Sequence, residues 1–290
     1  MTTAVSVSAK ELAQWRTDGF LVLRGLWSRD EIAGCAERFA AITADGQPIP
    51  GHWDPDPDSD DPLLRCPRIM HPHRFDGLAL RMLLDARIET VLAALMDEEP
   101  IAAQSMFYFK PPGSKGQALH QDNYYLRVRP DTCIAAWTAV DRSVPENGGL
   151  YVCPGTHTME VACPEVADPE QSFTTHFVRP PAGVAPVPVR LDPGDVLFFG
   201  GSIVHGSRSN ASGHEWRRSF ICHYLPASSR ELSRYYRPTL RFDGREYDFG
   251  DASGGGPCGT AFPDGLVPGR WEEVRRLGLR VSADGSVPGL

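Results

Sequence analysis

The sequence has no apolar run long enough to cross a bilayer, and its opening residues, MTTAVSVSAK, have no charged segment leading into an apolar one. Neither a membrane span nor a secretory leader is expected, and a cytoplasmic location is. Positive charge is scarce: 29 basic residues face 37 acidic ones, for a net charge of -8, and the only lysines are Lys10, Lys110 and Lys115. That balance argues against a nucleic-acid partner. There is no internal repeat and no Cys-x-x-Cys. The seven cysteines lie scattered at 35, 66, 133, 153, 163, 222 and 258, which indicates neither a disulfide framework nor a zinc ribbon, and the thiols read as reduced and mostly buried.

The chain begins helical and turns to strand. Ser8 with Glu11, and Ser28 with Glu31, form capping boxes that open helices across ELAQWRTD and DEIAGCAERFAAI, with GFLVLRGL as a short strand between them. After a proline-rich acidic loop at 47–67, LALRMLLDARIETVLAALM has apolar residues recurring at three and four positions, which predicts the longest helix. From Ile101 onward short strands alternate with glycine and proline turns: AAQSMFYFK, QALHQDNYYLRV, TCIAAWTAV, GLYVCP, VPVRL, DVLFFGG and RRSFICHYL.

The expected fold is mainly β with flanking α-helices, a sandwich or jelly roll. At 290 residues the chain can bury its core in one domain. That domain has a helical part at about 8–100, a jelly-roll core at about 101–226 and a tail at 227–290. The tail contains FDGREYDFGDASGGGPCGT, too glycine-rich for a core element, and reads equally as a lid or as a disordered surface loop. Whether 47–75 and 240–262 close over a site is left open by the sequence.

The most informative pattern is His120-Gln121-Asp122 with a lone His205 and then the pair Arg217-Arg218. Two histidines and a carboxylate can hold one face of an octahedral iron(II) and leave the opposite face open. An arginine offers a fork for a dicarboxylate. A second His-x-Asp, at His52-Trp53-Asp54, lies among prolines that deny it ladder donors and reads as a loop. In QALHQDNYYLRV residues two apart project to one face, so His120 and Asp122 can meet one metal. The Asp-x-Asp-x-Asp at 54–58 is not a calcium loop, because Ser59 and Arg65 stand where glycine and glutamate are needed.

Parity sorts other candidates. In AAQSMFYFK, Gln104, Met106 and Tyr108 share a face, opposite Ser105, Phe107 and Phe109. In RRSFICHYL, Arg217, Ser219, Ile221 and His223 point one way and Arg218, Phe220, Cys222 and Tyr224 the other, but parity alone does not decide which arginine enters a barrel. His71 and His73 flank a proline turn, His157 reads as structural, His214 as solvated and His223 as a hydrogen-bonded core histidine.

DGFLVLRGL, the His-Gln-Asp motif, AAWTAVD with Trp137, ENGGLYVCPGTH, DPGDVLFFGGSIVHGS and WRRSFICHY together resemble the phytanoyl-CoA dioxygenase family of double-stranded β-helix, cupin-like oxygenases, over about residues 8–226. The resemblance implies iron(II) on His120, Asp122 and His205. It also implies 2-oxoglutarate with its distal carboxylate on Arg217 and Ser207, against Gln104, Met106 and Tyr108 with Trp137 nearby. Dioxygen is then the oxidant, and succinate and carbon dioxide leave as a small molecule is hydroxylated, desaturated or cyclised, as in natural-product tailoring. For that substrate, Tyr124, Tyr125 and Arg127 follow the metal motif, and His73 and Arg74, with Arg68, lie in the amino-terminal loop; a polar or anionic ligand and a solvated surface fit them equally. The alternative is a metal-binding cupin-like relative without oxygenase activity, for which the arginine after the distal histidine has no use. Oligomeric state is not legible.

Overall fold

The computed structural model describes residues 5–130 and 132–252. Both capping boxes form: each serine hydroxyl accepts the backbone N–H three residues on, and each glutamate accepts the serine N–H at 2.7 Å. The helices they open are Ala9–Asp18 and Arg29–Ile42, with the strand Phe20–Leu23 between them. Gly19 ends the first helix at φ 79, and a Cβ there would meet the His157 ring at 2.3 Å, so only glycine fits.

The expected longest helix is instead two, Gly77–Leu83 and Ala86–Met96, and among the described residues Arg29–Ile42 is the longest. Asp85 divides the segment, because its carboxylate accepts the Arg87 N–H at 2.9 Å and caps a new helix.

Eight antiparallel strands form the larger sheet. Its order runs Phe20–Leu23, Val196–Gly200, Ile134–Ala139, Ser219–Pro226, Pro100–Tyr108, Thr239–Leu240 and Glu246–Tyr247, with Ile69–Met70 added beside Pro100–Tyr108. A four-stranded sheet faces it, in the order Gln117–His120, His205–Ser207, Leu150–Val152 and Val187–Pro188. The fold is the mainly β jelly roll expected.

Alternation divides the interior into two layers. Phe107, Phe220, Cys222 and Tyr224 face the helices, where Phe39 stacks on Phe107 at 3.9 Å and the Tyr224 hydroxyl donates to the Leu83 carbonyl at 2.8 Å. Met106, Trp137 and Ile221 face the smaller sheet with Leu150 and Phe199. Burying both faces of the Ser219–Pro226 strand fixes its register, since a slip of one residue would exchange the two sets.

The first part of the tail is neither lid nor free loop. Its strands at 239–240 and 246–247 extend the larger sheet, and Phe249 is buried against Leu126 and Leu225. The segment GGGPCGT and the residues after it lie outside the described residues. Cys35, Cys66, Cys133, Cys153 and Cys222 are free, but Cys163 is disulfide-bonded, contrary to the expectation of reduced thiols throughout. Among the described residues no helix is long and apolar enough to cross a membrane.

Candidate active site

His120 ends one strand of the smaller sheet and His205 begins its neighbour, and the two are register partners. Their rings lie side by side with centroids 4.3 Å apart. Asp122 reaches them by a different route from the one predicted. The strand stops at His120, and Asp122 sits in helical conformation at the head of the short helix Asn123–Leu126. The turn is tied down by Gln121, whose amide donates to the Ser202 carbonyl at 2.7 Å and accepts the Ala162 N–H at 2.7 Å. The Asn123 N–H bonds the Gly201 carbonyl at 2.9 Å.

The three side chains are buried, and their ligand atoms all lie within 4.8 Å of one another. Asp122 Oδ1 is 3.4 Å from His120 Nε2 and 3.6 Å from His205 Nε2. Nδ1–H of His120 donates to the Ala118 carbonyl at 2.8 Å, and Nδ1–H of His205 to the Ile203 carbonyl at 3.2 Å. A carbonyl can only accept, so each Nε2 presents a lone pair toward the carboxylate. At present the Gln117 amide donates to that of His120 at 3.0 Å. Burial pulls His205 down to about 4 despite Asp122, so it is neutral near pH 7 as a metal ligand must be. Burial opposes ionisation of Asp122, but the surrounding histidines, His205 and His223 foremost, with the hydrogen bond from His223, outweigh it and hold the carboxyl well below its usual range. Converging neutral imidazoles and one carboxylate suit iron(II).

His223 does more than its reading as a core histidine suggested. Its Nε2–H donates to Asp122 Oδ2 at 2.9 Å, which leaves Oδ1 turned to the other two imidazoles. Its parity with Arg217 was the available signal.

The triad opens into a cavity of about 70 Å³, with Met106, Tyr108, Trp137, Ser207 and Arg217 on its walls. Arg217 therefore enters the barrel. It is 3% exposed, its Nη1 donates to Ser219 Oγ at 3.2 Å, its Nε has no partner, and its guanidinium lies 5.2 Å from the centre of the Trp137 ring. Arg218 leaves by the opposite face and pairs with both oxygens of Asp141 at 2.8 Å. Gln104 is buried opposite His223 in the adjacent strand but does not line the cavity. Lys110 and Leu63 also line it, and neither was anticipated.

The substrate candidates separate. Tyr125 approaches the metal side: its ring centre is 6.2 Å from that of His120, and its hydroxyl meets His176 Nδ1 at 3.1 Å. Tyr124 packs against His176 at 5.0 Å. Arg68 donates to the Tyr108 hydroxyl at 2.7 Å. Arg127 reaches the Ala252 carbonyl at 3.3 Å. His73 bonds Ser105 Oγ at 2.7 Å and Arg74 the Arg237 carbonyl at 3.0 Å, and neither lines the cavity.

Burial also keeps His71 and His73 well below the usual histidine range. Such histidines take up protons near about 6.5 only in the unfolded chain. Metal-free stability is therefore expected to be full above that pH and to fall as pH drops toward about 4, the folded value of His205. Urea midpoints measured at about pH 7 and about pH 5 check this; a midpoint that holds or rises in acid would contradict it.

The Phytanoyl-CoA dioxygenase (PhyH) family model matches residues 15–219. A curated relative, Phytanoyl-CoA dioxygenase 1 of Oryza sativa subsp. japonica, is 28% identical over 56% of this chain, and the match spans 58% of the rice protein's length. Among solved structures, EctD from S. alaskensis with bound Fe superposes with a TM-score of 0.64 at 24% identity, covering 80% of this chain and 81% of that one. The nogalamycin epimerase SnoN, in complex with Fe3+, alpha ketoglutarate and nogalamycin RO, superposes with a TM-score of 0.61 at 21% identity, covering 79% and 85%.

Proposed function

The chain belongs to the phytanoyl-CoA dioxygenase family, and from that membership we propose that it is an iron(II)- and 2-oxoglutarate-dependent oxygenase acting on a small molecule. The observation that carries this is the shared cavity: the His120, Asp122 and His205 triad stands in the same pocket as Arg217, a buried guanidinium that no carboxylate among the described residues pairs with. A metal-binding relative without 2-oxoglutarate would have no use for that charge.

In this reading His120, Asp122 and His205 hold the metal. Arg217 and Ser207 hold the distal carboxylate of 2-oxoglutarate, Trp137 and Met106 confine its chain, and Tyr108 lies on the wall beside it. Bound iron(II) supplies the chemistry by which dioxygen oxidises 2-oxoglutarate to succinate and carbon dioxide and a substrate carbon is oxidised in turn. The protein supplies orientation and a small cavity with buried walls. The small molecule is hydroxylated, desaturated or cyclised as a tailoring step in natural-product assembly, a reading supported by the likeness to the nogalamycin enzyme. The substrate enters past Tyr124, Tyr125 and Arg68. A single-domain cytoplasmic protein with no nucleic-acid or membrane partner fits the net charge of -8.

Purified protein given iron(II), ascorbate and 2-oxoglutarate is expected to bind one metal per chain and to release succinate with oxygen uptake. No succinate with any of a broad panel of small molecules would overturn the assignment. Exchanging His52 or Asp54 for alanine tests the choice of motif. His52 Nδ1–H donates to the Met70 carbonyl at 2.7 Å, so His52→Ala should lower stability while leaving the metal in place. Loss of metal in either variant would show that the wrong His-x-Asp had been chosen.

A further inference from the structure

Of the three lysines only Lys110 is buried, at 2% exposure. It follows the Pro100–Tyr108 strand by two residues, and its carbonyl accepts the Arg217 backbone N–H at 3.2 Å, so the two cationic residues are tied together through the main chain. Its side chain runs to the metal cavity, where Nζ donates to the Lys115 carbonyl at 3.1 Å and to Ser207 Oγ at 3.2 Å. Room for this path is made by Gly148, at φ 79: a Cβ there would lie 2.3 Å from Lys110 Cε.

The donor count is uneven. An ammonium has three N–H groups, and two are used. Ser207 Oγ also accepts the Gln117 N–H at 3.2 Å, so both its lone pairs are engaged and its own hydrogen is left to donate. Arg217 Nε has no partner. Among the described residues none of the ion pairs involves Lys110 or Arg217, and Asp122, the one acid on the cavity wall, is engaged by His223. Two basic side chains and an oriented hydroxyl thus share one small cavity with no anion paired to them, an arrangement costly unless one arrives.

We propose that Lys110 is a second cationic anchor for the distal carboxylate of 2-oxoglutarate, opposite Arg217, and that it also orients the Ser207 hydroxyl to donate to that carboxylate. The proposal rests on the assignment of this cavity to 2-oxoglutarate. It adds a residue whose role no motif in the sequence announced. Burial and then Arg217 push the Lys110 amine well below its usual range, and an incoming carboxylate would relieve both penalties.

The test is calorimetric and needs no turnover. Anaerobic protein loaded with Mn(II) is titrated with 2-oxoglutarate and with 2-oxopentanoate, which keeps the chelating end and lacks the distal carboxylate. Lys110→Met, close in shape but uncharged, is expected to lower 2-oxoglutarate affinity by about tenfold or more while leaving 2-oxopentanoate binding unchanged. Lys110→Gln, which can still donate to the Lys115 carbonyl, should show the same selective loss, and Lys110→Arg should recover part of it. Ser207→Ala added to Lys110→Met should cost less than Ser207→Ala alone, because the two act on one carboxylate. Equal loss for both ligands would reduce Lys110 to a support for the cavity wall and overturn the proposal. So would unchanged 2-oxoglutarate binding in the lysine variants when Arg217→Ala is impaired. If the wild type binds no 2-oxoglutarate, it is the underlying cosubstrate assignment that fails.

Discussion

Asp122→Ala is expected to lose iron and, with it, all turnover. The carboxylate is the sole anionic donor in the triad, and its Oδ1 is the atom that faces both imidazoles, at 3.4 and 3.6 Å. Two neutral nitrogens remain in the variant, too few to retain iron(II) against water. Affinity should fall by at least about a hundredfold, beyond what loss of a supporting residue costs. His223→Leu tests that supporting layer separately. It removes the hydrogen bond that fixes Oδ2 and should weaken metal binding by about 10 to 100-fold without removing any ligand. Equilibrium dialysis against iron(II) with metal analysis, on protein shown by circular dichroism to be folded, distinguishes the two. One iron per chain at wild-type affinity in Asp122→Ala would refute the assignment of the triad.

Arg217→Ala and Arg218→Ala should part company, although the residues are adjacent. Arg217 is 3% exposed and lines the cavity, and a buried carboxylate deprived of such a partner loses roughly 3 to 5 kcal/mol, on the order of a hundredfold or more in 2-oxoglutarate affinity. Arg218 makes its forked pair with Asp141 on the other face, with side chains 29% and 21% exposed. Its removal should leave cosubstrate affinity near wild type and cost about 1 kcal/mol of stability, read from a urea melt. The reverse pattern would mean that the strand sits one residue out of the register described.

Much of this was legible because the signals are local. The capping boxes name both ends of their contacts within four residues, and the alternation in RRSFICHYL separated its two sets of side chains, though not which of them faces inward. What the sequence withheld depends on contacts far along the chain. His120 and Asp122 meet as expected, but through a turn held by Gln121 against Ser202, some eighty positions away, and not along one strand. Asp85 ended a helix that the apolar spacing carried straight through, because one cap outweighed a pattern. His223 looks like an ordinary strand residue until the register of Ser219–Pro226 against Pro100–Tyr108 sets it beside Asp122, and Lys110 until the turn after that strand carries it to Ser207.

The opposed faces of Arg217 and Arg218 carry a consequence for how such a chain can diverge. Sliding the strand by a single position would present Phe220, Cys222 and Tyr224 to the cavity and thrust Ile221 and His223 among the helices, so no partial shift is tolerated. An insertion or deletion between Ser207 and Trp216 must then be absorbed by the bend itself, at the modest closure cost of a longer loop. The spacing from the second histidine to the arginine is accordingly a free variable of the scaffold, while the side-to-side order within the strand is not. An inserted residue there would lengthen the surface without relocating the anchor.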